Sequence, residues 1–212
     1  SAFTMNSALH ARLAYDPATA FTPVAMIGRA PSVLAVPASL PVRSLAELVD
    51  LLKSKPGQLR LSSSGVGSYQ HLVSELLRIQ SGTDFLIVQY KGGGPALNDL
   101  VAGHVDFSVG TIIQTLPFIR SGQLKALGIG GAKRISALPD VPTLKEAGLP
   151  DYEASNWWGL LVPAGTPADI VARLHRETTA ILDTAEMRKR LDAEGAEAVP
   201  MTSAAFGELL TA

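Results

Sequence analysis

The chain has 212 residues, 47% of them hydrophobic and 17% charged, with a formal net charge of −1. That is enough for one large domain or two small ones with real cores, and too apolar for a disordered chain. No basic surplus points to nucleic acid or anionic lipid, no acidic surplus points to metal storage, and the absence of cysteine excludes disulfides, thiolate catalysis and thiolate zinc sites.

The chain opens on Ser1 in mid-pattern and is expected to be processed or truncated; no signal peptide is visible. Asn6 or Ser7 can cap a helix over 7–13. Residues 23–38 read as one or two strands. Leu45, Leu48, Leu51 and Leu52 recur at helical spacing over 44–57, with Ser44 as N-cap, Glu47 completing a capping box and Pro56-Gly57 as the stop. Residues 59–64 form a short strand, 69–82 a helix with a glycine stop, and 84–90 a strand. A helix over 94–105, a strand over 105–110, a short helix over 116–122 and a strand over 124–131 continue the alternation. The Pro-rich segment 137–152 is expected to run over the surface. A strand and turn follow over 154–167, then amphipathic helices over 168–184 and 185–195 and a last helix over 203–212. Apolar runs are short and broken by Gly and Pro, so none spans a membrane. Strands alternating with helices predict an α/β fold, mostly parallel, with right-handed crossovers. Segments 23–38 and 154–163 are candidates to pass between two lobes.

The stretch Ser62-Ser63-Ser64-Gly65-Val66-Gly67-Ser68 lies between a predicted strand and a helix N-terminus. The first N–H groups of that helix lack helical acceptors, glycines let the backbone approach a ligand, and serine hydroxyls can donate. This composition suits an anion. A phosphate loop would need a Lys after Gly67, and the dinucleotide fingerprint would need a Gly at position 70; neither is present, so a carboxylate fits better. The plain alternative is a tight strand-to-helix turn with Ser68 as an ordinary N-cap. A serine nucleophile is disfavoured, because G-x-S-x-G is absent and His71 lies in the first turn after Ser68. The histidines at 10, 71, 104 and 175 show no metal-ligand spacing.

A second Gly-rich stretch, Tyr90-Lys91-Gly92-Gly93-Gly94-Pro95, again joins a strand to a helix. Open α/β sheets bind ligands at that end of their strands. Lys91 can pair with a carboxylate or stay solvated; Tyr90 can pack on a ligand or end a core strand. Trp157-Trp158 reads first as core packing and second as a ligand platform.

Taken together, several stretches resemble one family: S-A-F-T-M-N and F-T-P-V near the start, S-S-G-V-G-S-Y-Q-H-L (63–72), Q-Y-K-G-G-G-P-A-L-N-D-L-V-A-G-H-V-D (89–106), R-I-S-A-L-P-D-V-P-T-L-K-E-A-G (134–148) and W-W-G-L-L-V-P-A-G-T-P (157–167). The chain resembles the Bug-type receptors of tripartite tricarboxylate transporters along essentially its whole length. That resemblance implies the type II periplasmic-binding-protein fold, two α/β lobes with mostly parallel sheets around a ligand cleft, with lobe one at 1–35 and 156–212 and lobe two at 36–155. It implies an exported, non-enzymatic protein without cofactor or metal, which binds a small organic carboxylate through backbone amides, hydroxyls and waters and hands it to membrane transporter subunits or a sensor. Matched position by position, the ligand-binding residues are Ser1, Thr4 and Asn6 in the first lobe, and Ser64, Gly65, Ser68, His71, Tyr90, Gly92, Gly93, Gly110 and Thr111 in the second.

Two departures stand out. Family members carry a further upstream segment with a Gly-rich loop ending in Asp, so lobe one is expected to be incomplete here and the chain to self-associate through it. Many relatives also have Asp-Asn where this chain has Gly110-Thr111. Without that acid, a plain carboxylate is favoured over an amino acid. The rival readings are the effector domain of a regulator with the same fold, or an α/β hydrolase or transferase.

Overall fold

The computed structural model describes residues 15, 16 and 19–211. The helix expected over 7–13, and with it Ser1, Thr4 and Asn6, lies outside the described residues. The chain divides into two compact units, Ser1–Arg29 with Trp157–Ala212, and Ala30–Asn156.

The strands are β1 (Phe21–Pro37), β2 (Arg60–Ser63), β3 (Leu86–Gln89), β4 (Phe107–Thr111), β5 (Leu124–Ile129) and β6 (Ser155–Pro163). The helices are α1 (Leu45–Ser54), α2 (Tyr69–Ser81), α3 (Gly93–Ala102), α4 (Ile112–Arg120), α5 (Ala168–Leu182), α6 (Ala185–Ala193) and α7 (Ser203–Thr211). The sheet order is β3-β2-β4-β1-β5, and β6 also pairs with β1. β2 is parallel to β3 and β4. β1 is antiparallel to both β4 and β5. Hence β2, β3, β4 and β5 all point one way, and β1 alone among these five runs against them. This is the mostly parallel α/β sheet that the alternation of strands and helices predicts, and β1 carries residues of both units.

Local chemistry explains the elements. In α1 the Ser44 hydroxyl accepts the Glu47 amide at 3.2 Å, and the Glu47 carboxylate accepts the Arg43 amide at 2.7 Å. The reciprocal bond of the box therefore goes one residue upstream of the cap. Leu45, Leu48 and Leu52 bury their side chains at helical spacing. Ser68 caps α2 in the same way, and Gly82 ends it in the left-handed conformation.

α4 departs from expectation. It starts at Ile112, four residues before the expected Leu116, and carries Pro117 in its interior. A proline near a helix start usually marks the first turn; here the first turn is made by the residues directly after β4, and Pro117 gives up one backbone bond.

In the Ala30–Asn156 unit, alternation along the strands sorts residues to two faces. Leu34, Val36, Leu61, Phe107 and Val109 join Leu48, Leu52, Leu77 and Tyr152 in one core cluster. Ala35 belongs to another, with Leu100, Val105 and Leu124. Each fully buried Leu or Phe contributes about 1.5–3 kcal/mol. In the other unit, Phe206 is fully buried and seats its ring on Gly159, where a Cβ would come within 2.1 Å of it. Trp157 packs edge-on against Phe206 at 5.7 Å. Of the two readings of the tryptophan pair, Trp157 takes the packing one.

Candidate functional site

Three parallel neighbours, β3, β2 and β4, end at the same edge of the sheet, and each leads through a short connection into a helix. The N-termini of α2, α3 and α4 therefore lie along that edge. First-turn amides of a helix have no helical acceptor, and the helix dipole puts partial positive charge there. α2 has a side-chain cap from Ser68, whereas α3, beginning after Gly92, and α4, beginning after Thr111, have none. Their amides remain available to an external acceptor.

The connections are knitted together. The Gly92 amide donates to the Ser64 carbonyl at 3.0 Å, and the Tyr90 amide to the Ser63 carbonyl at 2.8 Å. Gly92 has φ +120°, which a side chain would strain. A Cβ on Gly93 would stand 2.9 Å from Gln114 Oε1; one on Gly110 would stand 3.2 Å from Gln70 Nε2 and 3.3 Å from Thr115 Oγ1. A small cleft here is lined by Gln70, Gly93, Ser108, Gly110, Gln114 and Thr115 on its polar side, and by Ala35, Leu97 and Leu100. Gln70 Nε2 donates to Ser108 Oγ at 3.4 Å, and Ser108 Oγ donates to the Ser62 carbonyl at 3.1 Å. The buried Gln70 Oε1, Ser62 Oγ and Ser63 Oγ have no hydrogen-bond partner among the described residues.

The structure thus gathers Ser64, Gly65, Ser68, His71, Gly92, Gly93, Gly110 and Thr111 at one edge of one unit. Tyr90 starts there, but its side chain packs against the Ala35–Leu100 cluster. Its hydroxyl donates to Asp99 Oδ2 at 2.6 Å. Burial first, and then the bond and charge of Asp99, push the Tyr90 phenol up to about 12. The Asp99 carboxyl is held below its usual range by the Tyr90 bond and then by His104. Sequence reasoning missed Gln70, Gln114, Ser108 and Thr115. The available signal was position for Gln70, Gln114 and Thr115, which lie in the first turn of a helix after a strand; Ser108 sits inside β4, opposite Ser62.

His71 does not address a serine. Its backbone amide donates to Ser68 Oγ at 3.2 Å, its ring Nδ1 accepts from the Gly67 amide at 3.2 Å, and its Nε2 lies 3.7 Å from Glu75 Oε1. A general base would need the hydroxyl within reach of a free ring nitrogen. Among the described residues no helix is long and apolar enough to cross a membrane.

A parallel sheet edge that carries three helix N-termini and polar neutral side chains has the chemistry to receive an anion. The pattern that describes tripartite tricarboxylate transporter family receptors matches residues 1–211, and the chain belongs to that family. It is similar to protein BugT of Bordetella pertussis, at 35% identity over 180 residues, 85% of this chain and 55% of that protein. Among solved structures it is similar to Rpa4515 of R. palustris with adipate, at 35% identity and TM-score 0.92, covering 95% of this chain and 68% of that one. It is also similar to MatC of Rhodopseudomonas palustris with bound malate, at 34% identity and TM-score 0.89, covering 99% and 72%. The chain spans about half the length of the first curated relatives it matches.

Proposed function

We propose that this chain is the ligand-binding part of a periplasmic receptor that takes a small organic carboxylate and delivers it to the membrane subunits of a tripartite tricarboxylate-type transporter or to a sensor. The observation that carries the reading is the meeting of the α2, α3 and α4 N-termini at one sheet edge, with α3 and α4 uncapped by side chains. The carboxylate is held by first-turn amides and by the hydroxyls of Ser64, Ser68 and Thr111, and the glycines at 65, 92, 93 and 110 keep the backbone accessible. The adipate and malate in related structures support this chemistry. A hydrolase reading is disfavoured by the occupied ring nitrogen of His71.

A thermal-shift panel of mono-, di- and tricarboxylates tests the reading. Ligand at about 100 times its dissociation constant adds about 2.7 kcal/mol, which raises Tm by several degrees for a chain of this size. A rise with at least one carboxylate, and no change in that compound on prolonged incubation, is expected. Turnover of the compound, or no rise with any member of the panel, refutes it.

A further inference from the structure

We infer that His71 is a positioning residue that locks the Gly65–Ser68 loop through its Nδ1 atom, and that its ring does not touch the ligand. The inference deepens the carboxylate-receptor reading and rests on it for its effect on affinity.

The argument starts from the tautomer. A backbone amide can only donate, so the Gly67 N–H at 3.2 Å requires a bare lone pair on Nδ1. The proton of the neutral ring is therefore on Nε2, the atom that faces Glu75 Oε1 at 3.7 Å. Glu75 is itself held by Arg78 Nη2 at 2.5 Å, so the acidic side of the ring has a fixed neighbour. The His71 backbone is tied independently, its amide donating to Ser68 Oγ at 3.2 Å. The loop closes on itself through the Ser68 amide and the Gly65 carbonyl at 3.1 Å. Gly67, at φ +73°, sits in the left-handed region, where glycine loses the most conformational freedom on ordering.

Two consequences follow. The Gly67 amide points into the imidazole and is withdrawn from any anion, which leaves the amides of the α2 first turn, Tyr69 and Gln70, to face it. The loop is also fixed before ligand arrives, so binding does not bear the cost of ordering it. Both roles belong to Nδ1. A ring that contacted a carboxylate would do so through a donating nitrogen, which here is Nε2.

Two substitutions separate the nitrogens. The Asn side chain places an oxygen acceptor near the position of Nδ1, and the Gln side chain reaches the position of Nε2. Malate and adipate affinities are measured by calorimetry on the 212-residue chain and on its His71→Asn and His71→Gln variants, with Tm read for each. His71→Asn is expected to stay within about twofold, and His71→Gln to weaken binding about fivefold, the worth of one neutral hydrogen bond. The reverse order would overturn the inference. Without ligand, nitrogen NMR is expected to show an unprotonated Nδ1 and a protected Gly67 amide, with protection kept in His71→Asn and lost in His71→Gln. A proton on Nδ1, or an unprotected Gly67 amide in the parent chain, would overturn it. If the parent binds neither malate nor adipate, the fault lies with the carboxylate reading, and the ligand-free measurements still decide the role of His71.

Discussion

Ser68 and Ser44 form a matched pair. Each caps a helix, and each hydroxyl accepts one backbone amide at 3.2 Å, from His71 and Glu47 respectively. Replacing an N-cap serine by alanine costs about 1 kcal/mol. For a chain of this size that lowers Tm by about 2–4 °C, and Ser68→Ala and Ser44→Ala should match within about 1 °C of each other on the same scale. Their effects on binding should differ. The Ser68 oxygen accepts through a lone pair and keeps its proton, which at the α2 N-terminus is free to donate to a carboxylate. A hydrogen bond to a charged group is worth about 1.5–3 kcal/mol, so Ser68→Ala should weaken malate or adipate binding at least tenfold. Ser44 heads a helix elsewhere in the same unit, and Ser44→Ala should leave affinity unchanged. Differential scanning fluorimetry supplies the first comparison and calorimetry the second. Equal affinities for the two variants would refute the placement of the anion at the α2 N-terminus.

Tyr90→Phe should leave carboxylate affinity unchanged, because the hydroxyl is committed to Asp99. Its pH signature is separate. The folded phenol stands near 12, above the unfolded value of about 10, so its contribution is complete below pH 10 and is lost as pH rises through 12. Urea titrations from pH 9 to 12 should show a steeper decline in the parent than in Tyr90→Phe, which keeps the declines due to the buried Tyr69 and Tyr152 phenols. Gly110→Ala should weaken binding about tenfold, the worth of one or two displaced hydrogen bonds, because its Cβ presses on Gln70 Nε2 and Thr115 Oγ1. Calorimetry on this variant, with its Tm close to that of the parent, checks the point; unchanged affinity would remove the Gln70–Gly110 cleft from the site.

Much of the fold was legible because its boundaries are written in backbone chemistry. Ser44 and Ser68 cap where they were expected to, and Gly82 stops α2 where a glycine stop was expected. The start of α4 was not legible. Pro117 carries a helix-start signal, whereas the turn that begins at Ile112 is set by the exit of β4 from the sheet, which is a tertiary fact. The direction of Tyr90 was equally hidden. β3 is only partly buried on both faces, so alternation does not say which way the following tyrosine turns, and Asp99, one helix away, decides it.

The site residues divide along the same line. Glycines at 65, 92 and 93 stand out in a sequence because they occur in a run between a strand and a helix. Gln70 and Gln114 look like any polar residue in the first turn of a helix, and only the sheet brings them to Gly110 and Gly93. A site made of helix N-termini has few diagnostic side chains by its nature: the charge that meets the anion belongs to the peptide dipoles, and a sequence records it only as helices starting after parallel strands. Side chains then act one step back, as His71 does on Gly67 and Ser68 on the His71 amide, setting which amides point outward. Substitutions that distinguish one atom of such a side chain from another therefore report on the site more sharply than its removal, which would disturb cap, loop and anion together.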